Sequence, residues 1–308
     1  MATHRLRWTD PLPAAVQRGA VTFGNFDGVH RGHQDLLNVL KHRAAQVNGP
    51  AIAVTFDPPP VALLNPSALK LPLTTIPQRA ELLHAAGADQ VIVLTTEASL
   101  LALSAPAFIE DVIQLQLNAA AIVEGSNFRF GRGRAGNNEA LKATGIAFEE
   151  VPVPVDAVSS SRVRDAINAG DVTEAAALLG RPYSIIGTVV EGAKRGRTLG
   201  VPTANLDHVP TLLPAVGVYA GRVTVKGVEY AVAANIGPNP TFGEDARKIE
   251  VHVIGFDADL YGQTLSVQFV KRLRDTVPFK TIDELKRQLM TDIAAAKSVC
   301  AIRRSPGS

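Results

Sequence analysis

Ala20-Val21-Thr22-Phe23 runs directly into Gly24-Asn25-Phe26-Asp27-Gly28-Val29-His30-Arg31-Gly32-His33. The short apolar run reads as a buried strand. Leu36, Leu40, Ala44 and Val47 then follow at spacings of four, four and three, which predicts the apolar stripe of a helix. The segment between is a strand-to-helix turn. Gly28 and Gly32 let its backbone turn and approach a ligand closely. The amides at the helix start make an anion site. His30 and His33, three apart, project toward the same phosphates, where imidazoles donate hydrogen bonds to oxyanions and steady the charge of a breaking phosphoanhydride. The stretch is neither a dinucleotide G-x-G-x-x-G nor a Walker loop. A zinc reading of His-x-x-His lacks further Cys or His partners nearby.

Outward from this turn, short apolar runs recur at Ala51–Phe56, Gln90–Leu94, Ala121–Val123 and Ala147–Val151, with helical stretches such as Arg79–Ala86 and Ala107–Leu117 between them. Buried strands alternating with helices predict an α/β domain, a Rossmann-like parallel sheet with helices on both faces. Ligands of such sheets bind outside the carboxyl ends of the strands.

The character changes after Gly180-Arg181-Pro182. Val223 and Val225 alternate with Arg222, Thr224 and Lys226; Leu265, Val267 and Phe269 alternate with Ser266 and Gln268. Glycines and prolines punctuate these runs, which predicts an antiparallel β-barrel. A last helix starts at Thr281, with Glu284 completing a T-x-x-E box and Ile282, Leu285, Leu289 and Ile293 as its apolar stripe. Residues 1–180 and 181–308 are therefore expected as two domains, the linker lying between Gly170 and Tyr183 with Val172–Leu179 helical.

Composition agrees with two globular domains. The chain has 308 residues, 46% hydrophobic and 19% charged, enough to bury a core in each half. The single cysteine, Cys300, excludes a disulfide scaffold or a cysteine zinc site, suits a reduced compartment, and reads as a packing residue. The first thirty residues hold no apolar run with a cleavage site, and nothing approaches the ~20 apolar residues of a membrane span. A cytoplasmic location is expected. Through residue 180 there are 14 Lys and Arg against 17 Asp and Glu, and after it 17 against 12. These mild fields suit small anionic ligands and do not call for nucleic acid or a membrane.

A second phosphate-handling stretch lies in the back half: Gly187-Thr188-Val189-Val190-Glu191-Gly192-Ala193-Lys194-Arg195-Gly196-Arg197-Thr198-Leu199-Gly200-Val201-Pro202-Thr203-Ala204-Asn205. Glycines interleaved with Lys194, Arg195 and Arg197 make a cationic loop able to wrap phosphates. Thr203 and Asn205 offer a hydroxyl and an amide oxygen, hard ligands suited to Mg²⁺. Taken alone, the basic cluster Lys194–Arg197 also fits a flavin- or nucleic-acid-binding regulator, but no aromatic residues interleave it for base stacking.

The first motif resembles the G-x-F-D-G-x-H-x-G-H signature of nucleotidyltransferases, in the form found in bacterial bifunctional riboflavin kinase/FAD synthetases. Three more segments are similar to that family. Val54-Thr55-Phe56-Asp57-Pro58-Pro59-Pro60 resembles F-(E/D)-P-x-P, with Pro59 where His is frequent. Gly125-Ser126-Asn127-Phe128-Arg129-Phe130-Gly131 resembles G-(E/D)-(D/N)-F-R-F-G, with Ser126 at an acidic position. Ser159-Ser160-Ser161-Arg162-Val163-Arg164 resembles S-S-T-x-I-R. The resemblance implies ATP contacts from Gly24, Phe26, Asp27, Gly28, His30, His33, Asn127, Arg129, Ser160, Arg162 and Arg164, and a flavin contact from Pro58. It also implies that His30 and His33 position charge rather than act as a base, because the attacking FMN phosphate is already ionised.

The back half resembles riboflavin kinases through the whole glycine-rich stretch, with Val201 where Phe is common. The resemblance continues through Gly217-Val218-Tyr219-Ala220, through Asn235-Ile236-Gly237-Pro238-Asn239-Pro240-Thr241-Phe242, and through Ile249-Glu250-Val251-His252-Val253-Ile254. It implies ATP contacts from Gly187, Gly192, Lys194, Arg197, Gly200, Thr203 and Asn205, with Mg²⁺ on Thr203 and Asn205. Glu250 is implied as the base for the riboflavin 5′-hydroxyl, and Arg274 as a flavin contact. On an alternating strand Glu250 and His252 share one face. The implied substrates are riboflavin, FMN and ATP, and the products FMN and FAD. The oligomeric state is left open.

Overall fold

The computed structural model describes the chain except residues 155, 193–199, 240–243 and 302–308, and except the side chains of 239 and 244–247. Two compact units result. One comprises Met1–Lys70 with Thr74–Ser159, the other Leu71–Leu73 with the residues from Ser160 onward.

The first unit is built on a parallel sheet of β1 (Ala2–Leu6), β2 (Ala20–Phe23), β3 (Ala51–Asp57), β4 (Gln90–Thr95), β5 (Ala121–Gly125) and β6 (Ala147–Val151), in the order β1-β4-β3-β2-β5-β6. Alternate side chains enter two cores. Val21, Phe23, Ile52, Val54 and Ile92 pack against Phe108, Val112 and Ile113 of the π-helical segment Phe108–Gln116. On the opposite face Ala53, Val91, Val93 and Val123 meet Leu37, Leu40 and Ala44 of α1 (Arg31–Gln46) and Leu83 of the helix Ile76–Ala85. The latter helix begins three residues earlier than its apolar spacing indicates. Thr75 caps it: its hydroxyl accepts the Gln78 amide, and the Gln78 side chain accepts the Thr75 amide. Strand β1 has no apolar alternation to announce it; it is an edge strand with mostly exposed side chains.

From β2 the chain steps one way to β3 and β4 and later the other way to β5. The crevice at the carboxyl ends of β2 and β5 is thus the topological switch point, where such sheets bind ligands. Ladder pairing between these strands is confined to Ala20 with Ala121 and Val21 with Ile122.

In the second unit β7 (Tyr183–Val190), β8 (Ala204–Asp207), β9 (Gly217–Val225), β10 (Val228–Asn239), β11 (Glu244–Val253) and β12 (Thr264–Arg274) close an antiparallel barrel in the order β10-β11-β8-β7-β12-β9. Helices Ser160–Ala169 and Val172–Leu179 belong to this compact unit, as does the terminal helix Ile282–Val299. Thr281 caps the terminal helix by accepting the Glu284 amide at 3.2 Å. Its buried face differs from the expected stripe. Ile282 is 45% exposed, whereas Asp292 and Ala296 are buried and Cys300 follows on the same side. A charge replaces an apolar contact there because Arg274 of β12 holds Asp292. Cys300 is buried, its thiol donating to the Gly221 carbonyl.

Candidate active sites

The turn after β2 adopts a backbone that its residues resist. Phe26 and Val29 both have left-handed φ (46° and 40°), and Val29 is β-branched; such positions cost about 1–3 kcal/mol each. Surrounding contacts impose them. Both side chains are buried. Asp27 Oδ1 accepts from the Thr74 amide (3.1 Å), the Thr74 hydroxyl (3.1 Å) and Arg79 Nη2 (3.2 Å). The Gly28 amide donates to Thr74 Oγ1. Gly24 has no side chain because one would meet the Phe26 ring at 3.0 Å. Asp27 therefore holds the turn, and Thr74 and Arg79, which the sequence reading left unassigned, are its anchors.

This turn delivers His30 to the cap position of α1 and His33 one turn further. Their rings stack at 3.7 Å, and Phe26 meets His33 edge-on at 5.1 Å. Burial, reinforced by the charges of His30 and Arg79, pushes His33 well below 6.5. It is thus neutral near pH 7 and offers a single N–H, suited to orienting an oxyanion.

Across the crevice, Glu124 ends the apolar run Ala121-Ile122-Val123. It accepts the Phe23 amide at 2.7 Å, where the β2–β5 ladder has already stopped. Burial pushes this carboxyl well above 4.5, against the pull of the Phe23 amide. Beyond it, Ser126 accepts the Val153 amide at 3.1 Å, so the residue at the family's acidic position ties the loop to the chain after β6. Phe128 stacks on Phe130 and Phe23. Asn127 and Arg129 are exposed, Arg129 donating to the Phe128 carbonyl. Pro58 follows β3, its carbonyl accepting from Thr96. Ser160, Arg162 and Arg164 fall in the second compact unit. There Arg162 lies 3.9 Å from Glu174, and Arg164 donates to the carbonyls of Leu71 and Ser160.

In the barrel, Glu250 of β11 stands directly opposite Asn205 of β8, while their neighbours Val251 and Ala204 pair on the inner face. Glu250, Asn205, Thr203 and His252 are all half-buried. Gly192 lies close beside them: a Cβ there would fall 2.0 Å from the Asn205 amide nitrogen, so the Asn205 side chain would have to move. Gly187 is packed against Val209 and the Asp207 carbonyl, a close fit between strands, whereas Gly200 is left-handed in open space. Lys194 and Arg197 lie outside the described residues. Among the described residues no cluster of three or more His, Cys, Asp or Glu could hold a metal. The hydroxyl of Thr203 and the amide oxygen of Asn205 fit a hard cation that takes its remaining ligands from phosphate and water. A cavity of about 70 Å³ adjoins Thr203, walled by Val189, Val251, Val253, Phe256 and Leu260. Arg274 donates from Nε to both carboxylate oxygens of Asp292 (3.0 and 3.1 Å), from Nη2 to Oδ2 (2.7 Å) and from Nη1 to the Asp275 carbonyl, fastening β12 to the terminal helix.

Fold and site together define a two-unit phosphate-transferring enzyme, with a nucleotidyltransferase-like sheet and a riboflavin-kinase-like barrel in one chain. Residues 12–164 match the family model described as FAD synthetase, and residues 179–300 that described as riboflavin kinase. The chain is 36% identical over 293 residues to the bifunctional riboflavin kinase/FMN adenylyltransferase of Pseudomonas fluorescens, covering 92% of this chain and 94% of that one. It is 34% identical over 301 residues to the protein of the same name from Escherichia coli K12, covering 95% and 96%. The chain belongs to the family of bifunctional riboflavin kinases/FMN adenylyltransferases. A crystal structure of a Streptococcus pneumoniae protein named as a macrolide-efflux protein is also similar, with a TM-score of 0.88 and 33% identity over 96% of this chain and 99% of that one. No helix among the described residues is long and apolar enough to cross a membrane.

Proposed function

We propose that this chain makes FAD from riboflavin in two ATP-dependent steps, with residues 181–308 phosphorylating riboflavin and residues 1–180 adenylylating the FMN formed. The match to bifunctional relatives over 92% and 95% of this chain carries the reading, and the two sites supply chemistry that suits it.

In the barrel, Glu250 accepts the proton of the riboflavin 5′-hydroxyl as that oxygen bonds to the γ-phosphorus and ADP leaves. Mg²⁺ held by Thr203 and Asn205 would supply charge neutralisation on the ATP phosphates. The cavity beside Thr203, lined by Asp259 and Tyr261 as well as by Val189, Val251 and Phe256, takes the nucleotide base. Gly187, Gly192, Gly200, Lys194 and Arg197 lie along the phosphates, and Arg274 lies on the flavin side.

In the α/β unit, a phosphate oxygen of FMN bonds to the α-phosphorus of ATP, and the bond from that phosphorus to its bridging oxygen breaks, releasing pyrophosphate. The nucleophile needs no base. His30 and His33 orient the triphosphate, with Gly24, Phe26, Asp27 and Gly28 shaping the turn around it. Asn127 and Arg129 complete the nucleotide contacts of this unit, and Pro58 faces the flavin. ATP consumption in both steps suits a cytoplasmic enzyme.

Incubation of the protein with riboflavin, ATP and Mg²⁺, with flavins separated over time, tests both halves. FMN should rise first and FAD after it. Absence of FMN overturns the kinase assignment; absence of FAD when FMN is supplied overturns the adenylyltransferase assignment.

A further inference from the structure

The segment bearing Thr203 meets β11 where ordinary strand pairing ends. β8 begins at Ala204, and its register with β11 comprises Ala204 with Val251 and Asn205 with Glu250. The ladder cannot extend to Pro202 through an amide, because proline has none. Only the Pro202 carbonyl can be engaged, and a side chain engages it: His252 Nδ1 lies 2.7 Å from that oxygen. A carbonyl oxygen can only accept, so Nδ1 carries the proton. His252 is two residues from Glu250 on the same strand face. Its bond thus grips the residue just before Thr203 from the strand that bears the base. Pro202 and Thr203 also wall the cavity with Val251 and Val253.

We propose that His252 is a positioning residue of the kinase site, its Nδ1–H holding the Pro202 carbonyl so that the Thr203 hydroxyl and the adjoining cavity wall are kept in place for the ATP phosphates and their cation. The proposal rests on the assignment of Glu250 and Thr203 to the riboflavin kinase reaction.

Asparagine places an amide N–H where His carries Nδ1; leucine keeps bulk without a donor. In the full-length enzyme, His252→Leu should raise the KM for MgATP in riboflavin phosphorylation roughly 10–100-fold, the range for loss of a group that orients a ligand. KM for riboflavin, and FAD formation from supplied FMN, should stay near wild type. His252→Asn should restore most of the MgATP affinity. Long-range ¹⁵N–¹H spectra of the seven imidazoles give a readout independent of turnover. The signal that vanishes in His252→Asn should be the Nδ1-protonated tautomer. An unchanged KM for MgATP in His252→Leu, an Asn variant as impaired as Leu, or an Nε2-protonated tautomer overturns the proposal. Glu250→Ala, assayed in parallel, separates the two levels: if it phosphorylates riboflavin normally, the underlying site assignment fails, whatever His252 does.

Discussion

In the α/β unit the turn and the crevice beside it bury their polar side chains, although Asn127 and Arg129 are exposed; in the barrel Glu250, Asn205, Thr203 and His252 stand half-buried. His30, Asp27 and Glu124 are 6%, 8% and 1% exposed, and their turn carries a left-handed valine and an internal Asp–Arg pair. Glu250, Asn205, Thr203 and His252 keep contact with solvent. The chemistry explains the contrast. A phosphate nucleophile arrives ionised, so the first site needs donors held rigidly in a low dielectric, where they act more strongly. The second site must take a proton from a hydroxyl. Burial as complete as that of Glu124 pushes a carboxyl well above its ordinary range, which favours the protonated form that cannot act as a base.

The largest test of this contrast is at Glu250. Glu250→Ala should lower riboflavin phosphorylation by about 10²–10⁴-fold, the usual contribution of a general base, while FAD formation from supplied FMN continues. A rate near wild type would remove Glu250 as the base. Next is His30→Ala combined with His33→Ala. FAD formation should fall by roughly 10²–10³-fold, as when oxyanion donors are removed, with FMN formation still measurable. If both activities vanish together in either variant, the units do not act independently and the comparison breaks.

The fold was largely legible because both halves use simple periods. Ala20–Phe23 and Ala147–Val151 coincide with β2 and β6, and the alternation at Val223–Val225 and Leu265–Phe269 lies within β9 and β12. What escaped was structure set by polar partners rather than apolar spacing. Strand β1 is exposed, the helix Ile76–Ala85 is begun by Thr75 and Gln78, and the terminal helix turns Asp292 inward to meet Arg274. The candidate sites divide the same way. Motif residues such as His30, His33 and Glu250 stand out in sequence, but their supports do not. Thr74 and Arg79 lie over 40 residues from Asp27, and only the fold brings them together. Glu124 left one faint signal, an acid inside an apolar strand.

A smaller effect is expected where rigidity is built rather than used. Arg79→Leu takes the guanidinium away from the buried Asp27 carboxylate, which keeps its bonds from Thr74. Removing one member of a buried pair costs about 3–5 kcal/mol, and the urea midpoint should drop accordingly, with riboflavin phosphorylation retained under native conditions. A loss below ~1 kcal/mol, the level of an exposed pair, would mean that the pair does not hold the turn, and that the first site is less constrained than the comparison requires.

The subtlest test concerns charge itself. In the folded chain Glu124 titrates well above 4.5, its ordinary value when unfolded. Between those values the folded state binds more protons than the unfolded one, so this carboxyl subtracts stability as pH rises. His33, held well below 6.5, works in reverse: the unfolded chain binds more protons below that value, and stability is lost as pH falls. The buried site is therefore squeezed from both sides, whereas a solvent-facing site need not be. Glu124→Gln keeps an oxygen to accept the Phe23 amide and removes the titration. Relative to the parent, its thermal midpoint should climb as pH is raised from about 5 to about 9 and show no advantage near pH 4, where both carry a neutral group. A constant offset at every pH would mean that Glu124 does not ionise on unfolding, and that full burial carries no pH-dependent penalty in this unit.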